Sequence, residues 1–115
     1  MTDREKTEML AKWMGHTIAT SEPITWSTRG LLLRNTSPTV LGSPFYWWNP
    51  QHNIVDAMEI YERLAQVAPP VELVAGQWDG AAVYRLDIPA FLGPDCATIP
   101  AAISEAVLAW LEEKG

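Results

Sequence analysis

Phe45-Tyr46-Trp47-Trp48-Asn49-Pro50-Gln51-His52-Asn53-Ile54-Val55-Asp56-Ala57-Met58 is the stretch whose reading decides the fold. Four aromatic residues run into a turn, and the turn opens into the longest amphipathic helix pattern of the chain. Asn49-Pro50 starts the turn, because Asn bonds its own backbone and Pro presets φ at about −65°. Asn53 fits the N-cap, with Asp56 following in a variant of the capping box. Ile54, Val55, Ala57, Met58, Tyr61, Leu64, Ala65 and Ala68 then recur at helical spacing. Asp56, Glu59, Glu62, Arg63 and Gln66 take the other side, with Glu59 and Arg63 in the favoured i,i+4 order. Pro69-Pro70 stops the pattern, since neither residue donates to a helical ladder. The spacing predicts a helix with one buried face.

Immediately upstream, residues 45–48 read as a half-buried strand in which alternate rings face the core. A second reading stands beside it. Adjacent strand residues face opposite ways, so one of Trp47 and Trp48 points to a rim, where an amphipathic ring stacks a ligand or anchors a partner.

Further outward, Thr2 with Glu5 forms a capping box, and Gly15 suits a left-handed stop, which predicts a first helix over residues 2–14. Met9, Leu10, Trp13 and Met14 are its apolar patch. Residues 18–26 are irregular, with a short strand admissible over 24–26. Leu31-Leu32-Leu33-Arg34 reads as a strand entered through Gly30, and residues 35–44 as a loop rich in Pro, Ser and Thr. At about ten residues it is near the upper end of ordinary connections, and long loops are disproportionately functional.

Downstream of Pro70, residues 71–74 and 81–88 read as two strands joined near the turn dipeptide Asp79-Gly80, with pairing interrupted around Gly76-Gln77-Trp78. Residues 89–94 read as a loop. Thr98 caps a last helix with Pro100 in its first turn and Ile99, Ile103, Ala106, Val107, Trp110 and Leu111 as its apolar face. Residues 1–115 therefore read as a single α+β domain, a layered αβα sandwich with a small, mostly antiparallel sheet and three helices packed on it.

The chain has 115 residues, 48% hydrophobic and 19% charged, which suits a folded core rather than disorder. Its net charge of −6 argues against general nucleic-acid binding and against docking on anionic membranes. A single cysteine, Cys96, excludes an internal disulfide and a CxxC zinc site. No signal peptide and no spanning apolar run are evident, so a cytoplasmic protein is expected.

Trp48-Asn49-Pro50-x-x-Asn53-Ile54-x-Asp56-Ala57-x-Glu59 and the closing Ala97-Thr98-Ile99-Pro100-Ala101-Ala102-Ile103 together resemble the phage ABA sandwich domain family. Leu10-Ala11-x-Trp13-Met14-Gly15 fits that family's opening helix. The resemblance implies an αβα layered domain of phage origin and brings no activity with it. The final motif departs from the family's Thr-Ala-Pro, and residues 20–42 match no part of the pattern.

Enzyme chemistry finds little foothold. His16 follows a helix end, and His52 with Asp56 makes only half a metal site, without a third ligand at motif spacing. No nucleophile elbow, phosphate loop or dinucleotide fingerprint occurs. The expectation is a protein without catalysis, cofactor or metal. Arg29, Arg34 and Arg85 occupy strand or strand-edge positions, and with Trp47 and Trp48 they are the candidate ligand-binding residues: Arg forks take phosphate and Trp rings stack bases. The plainer reading is that these arginines pair with surface acids. Three functions follow: sequestration of a nucleotide-type signal of host immunity, acidic inhibition of a host protein, or a structural role as a homo-oligomer.

Overall fold

The computed structural model describes residues 1–36 and 43–114. It is an α+β fold with three helices and two small antiparallel sheets among the described residues. The chain divides into two compact units, Met1–Asn49 and Pro50–Gly115.

In the first unit, α1 (Asp3–Met14) starts at the expected box: the Thr2 hydroxyl accepts from the Glu5 N–H, and the Glu5 carboxylate accepts from the Thr2 N–H. Gly15 closes the helix at φ 79°, a left-handed conformation that favours glycine. Then come β1 (Thr17–Ile18), β2 (Trp26–Ser27), β3 (Gly30–Arg34) and β4 (Phe45–Trp48). The central strand is β3. β1 and β2 line one of its edges end to end, because the Leu32 carbonyl accepts from Ala19 while the Leu32 N–H donates to Thr25. β4 covers the other edge, with Leu31 opposite Trp48 and Leu33 opposite Tyr46.

Residues directly opposite in a sheet share a face. Leu31, Leu33 and Trp48 are fully buried on one face, as are Leu10 and Ala11 of α1, which packs on β3 and β1. Gly30 is required at the sheet's start: its φ is 109°, and a Cβ there would collide with the Trp48 carbonyl. The rings of His16 and Trp48 meet edge to face, 5.0 Å between centroids. Most of the 35–44 loop lies outside the described residues.

In the second unit, α2 (Ile54–Val67) is capped by Asn53, whose Oδ1 accepts from Val55 and Asp56 at 2.9 and 3.3 Å. Its buried stripe is Ala57, Ile60 and Leu64, facing α3 (Ile99–Lys114). That corrects the predicted face: Ile54, Val55 and Met58 are exposed. β5 (Glu72–Trp78), β6 (Ala81–Ile88) and β7 (Phe91–Leu92) form the second sheet in that order. Pairing of β5 with β6 runs unbroken to Trp78↔Ala81, so Gly76 does not interrupt it, and β7 falls where the sequence suggested only a loop.

α3 packs on β6, burying Leu86 and Ile88 with Ala102, Ile103, Ala106 and Val107. Gly93 permits that approach, since a Cβ would strike the Leu86 carbonyl and come within 2.8 Å of the Ala106 Cβ. The buried Ser104 hydroxyl donates to the Pro50 carbonyl at 2.9 Å, which ties the Asn-Pro turn to α3. No described helix is long and apolar enough to cross a membrane.

Candidate functional site

The five candidate ligand-binding residues are distributed as follows. Trp48 is fully buried, so it is a core residue and has no ring face to offer a ligand; of the tryptophan pair, Trp47 is the one on the less buried side. Arg34 is exposed, and by strand alternation it shares the outer face of the first sheet with Trp47, Leu32 and Phe45. Arg34 and Trp47 are diagonal neighbours there, close enough for long side chains to act together. Arg29 is exposed in the turn between β2 and β3, where its N–H donates to the Ser27 hydroxyl.

Arg85 belongs to the second unit. It is held in a two-pronged ion pair with Asp87, Nε to Oδ1 at 2.7 Å and Nη2 to Oδ2 at 3.1 Å. The hydrogen bond to Asp87 raises the guanidinium further above its ordinary range. An arginine occupied in this way is a poor phosphate fork. Structure thus unites Arg34 with Trp47, sends Trp48 inward and neutralises Arg85.

A feature that reading the chain as one body hides is the partition of charge. Pro50–Gly115 carries ten acidic and three basic residues, net −7, whereas Met1–Asn49 carries four acidic and five basic residues, net +1. All of the chain's negative excess sits in the second unit. That unit also shows apolar side chains to solvent. On α2, Ile54, Val55 and Met58 are 45%, 68% and 37% exposed and, with Glu59 and Glu62, line a shallow hollow of about 330 Å³.

On the hairpin, Trp78 is 78% exposed. Glu72, Val74, Gly76 and Trp78 share a face with Asp87, Arg85, Val83 and Ala81. A hollow of about 170 Å³ lies on this face, lined by Val74, Gly76, Trp78, Val83, Arg85 and Asp95 among others. Its floor is open because Gly76 has no side chain: a Cβ there would meet nothing within 4 Å.

No group of three or more His, Cys, Asp or Glu residues that could hold a metal ion occurs among the described residues. Cys96 is half-buried, and its backbone bridges Tyr84 in both directions at 2.8 Å. Sequence reasoning passed over Trp78, Gly76 and the α2 hollow. Two signals were there to find them: the charge of each half of the chain, and the period-two spacing of Val74, Gly76 and Trp78 running into Asp79-Gly80. The chain matches no family model, no curated protein and no solved structure.

Proposed function

We propose that this chain is a non-catalytic binding protein whose second unit captures a basic polypeptide. The observation that carries the reading is the coincidence, in Pro50–Gly115, of a net charge of −7 with exposed apolar side chains. An acidic surface steers a basic partner and suppresses acidic ones. Exposed Val55, Met58 and Trp78 supply the apolar contacts that turn an encounter into a complex. The resemblance to the phage ABA sandwich domain family supplies a setting, in which the partner is a basic protein of the host cell and the chain acts as its inhibitor in the cytoplasm.

The test is a titration of the full chain with a lysine-rich peptide containing valine and leucine, followed by amide chemical shifts. Perturbations confined to Pro50–Gly115, weakening steeply as salt rises, are expected. Perturbations confined to Met1–Asn49, or no binding at low salt, overturn the reading.

A second reading has its own observation. The first unit is net +1, and Arg34 and half-buried Trp47 are diagonal neighbours on one sheet face, which suits an anionic nucleotide held by a fork and a stacked ring. A cyclic oligonucleotide present at 100 times its Kd stabilises its receptor by about 2.7 kcal/mol. An unchanged melting temperature across a panel of such nucleotides removes this reading and leaves the first untouched.

A further inference from the structure

The outer strand of the second sheet has backbone groups that find no partner among the described residues, and the hydrogen-bond pattern identifies them. Tyr84 exchanges both backbone bonds with Cys96, and the Leu86 carbonyl accepts from Gly93, so Tyr84 and Leu86 turn their polar groups away from β5. In an antiparallel pair, hydrogen-bonded and non-hydrogen-bonded positions alternate. Ala75 opposite Tyr84 and Leu73 opposite Leu86 are therefore non-bonded positions, and Gln77 follows by the same period. The N–H and C=O groups of Leu73, Ala75 and Gln77 point outward from the edge of the sheet.

Folded proteins usually protect such edges with charges, prolines, bulges or very short strands. The other edge of this sheet follows that rule: β7 is two residues long and lies between Pro89 and Pro94. β5 does not. It is seven residues long, its register is continuous, and residues 73–78 include no charge and no proline. Residues 75–78 are all exposed. Next to this bare edge lies the gap over Gly76, walled by Val74, Val83 and Trp78.

Charge determines which strand fits. Glu72 and Asp79 stand at the two ends of β5, and Asp87 and Asp95 lie on or beside the hairpin, while Arg85 is already bound to Asp87. We propose that the edge of β5 takes an extended basic segment of a partner protein as a fourth strand, with one apolar side chain of that segment seated over Gly76. Backbone bonds to Leu73, Ala75 and Gln77 hold the segment, and alternate side chains select it. A residue opposite Gly76 shares its face and leans across the missing side chain toward Val83, as large residues do beside strand glycines. Lysine or arginine further along the segment comes opposite Glu72 or Asp79.

This proposal rests on the acidic-capture reading, and the experiment separates the two. The full chain is titrated with a short peptide of alternating lysine and valine, and with the same peptide N-methylated at alternate backbone nitrogens. N-methylation removes strand donors but leaves charge and side chains unchanged. Amide exchange at Leu73, Ala75 and Gln77 is expected to be fast in the free protein and to slow on adding the plain peptide. The N-methylated peptide should bind about tenfold more weakly or worse, since each lost backbone bond contributes a few-fold. Gly76→Lys, which projects into open space and leaves the fold intact, should weaken the plain peptide by a similar factor. Equal binding of the two peptides, or protection only on α2, overturns strand addition and leaves acidic capture standing. Failure of both peptides at low salt overturns both ideas. Amides already protected in the protein alone would make a second copy the occupant, and that too overturns the proposal.

Discussion

Each of the two units sets a helix against an antiparallel sheet, yet they differ in charge and in where one strand tryptophan of each, Trp48 and Trp78, points. Met1–Asn49 is close to neutral and buries Trp48 completely. Pro50–Gly115 holds the whole negative excess and leaves Trp78 at its hairpin tip 78% exposed. An indole in the core contributes packing, while an indole on an acidic rim is available to a partner. The contrast shows that a high tryptophan count has no single meaning: position in the pleat decides, and neighbouring residues cannot both face in.

The sharpest way to break that comparison is to truncate the buried ring. Trp48→Ala should cost about 3–5 kcal/mol in chemical denaturation, the range for emptying a large aromatic site. Trp48→Phe should cost far less, about 1–2 kcal/mol. The Trp48 Nε1–H has no hydrogen-bond partner among the described residues, so removing it also removes an unsatisfied buried donor. A Trp48→Phe loss of about 3 kcal/mol or more would mean that the indole N–H is bonded in solution.

Within the second unit, the buried hydroxyl of Ser104 is the corresponding weak point. Ser104→Ala leaves the Pro50 carbonyl buried without its donor, and a loss of about 1–3 kcal/mol is expected. A change below the error of denaturation would show that the Asn-Pro turn does not depend on α3.

Helix starts give a smaller effect with a pH signature. Thr2→Ala and Asn53→Ala should each cost about 1 kcal/mol at neutral pH. The backbone and hydroxyl hydrogen bonds of Thr2 hold the Glu5 carboxyl below its ordinary value. A carboxylate with a lowered folded-state pKa stabilises above its unfolded pKa, and the gain fades as pH falls through the folded value. The Thr2→Ala penalty should therefore shrink in acid, which denaturation of the variant at two pH values checks.

How much of this was legible beforehand follows from the range of each interaction. The caps at Thr2, Asn53 and Thr98, the glycine stop at Gly15 and the Asp79-Gly80 turn were readable because each is written within a few residues of sequence. The buried stripe of α2 was not: Val55 and Met58 are as apolar as Ile60, and only the position of α3 determines which of them it covers. β7 was missed because two residues between prolines form a strand only when β6 is alongside. The candidate site fared worse. Arg34 and Trp47 do share a face, and the burial of Trp48 is a tertiary fact, but Asp87's claim on Arg85 is local: the two stand two residues apart on one strand face, and the period-two spacing already implied the pair.

The smallest of these stability effects belongs to Trp78, where an effect on binding is expected instead. Trp78 sits at the end of the β5–β6 ladder opposite Ala81, with most of its ring in water. Trp78→Ala forfeits one modest cross-strand pair, about 0.5 kcal/mol, and empties no cavity. Its ring also forms one wall of the hollow over Gly76. If that hollow seats an apolar side chain of a basic partner, losing the wall should weaken the lysine–valine peptide several-fold while the denaturation midpoint barely moves. An unchanged affinity would shift the apolar contribution to Val55 and Met58 on α2. A large drop in stability would mean instead that Trp78 is covered in solution, which would undo the contrast between the two units. Peptide affinity measured beside the denaturation curve of the same variant separates these outcomes.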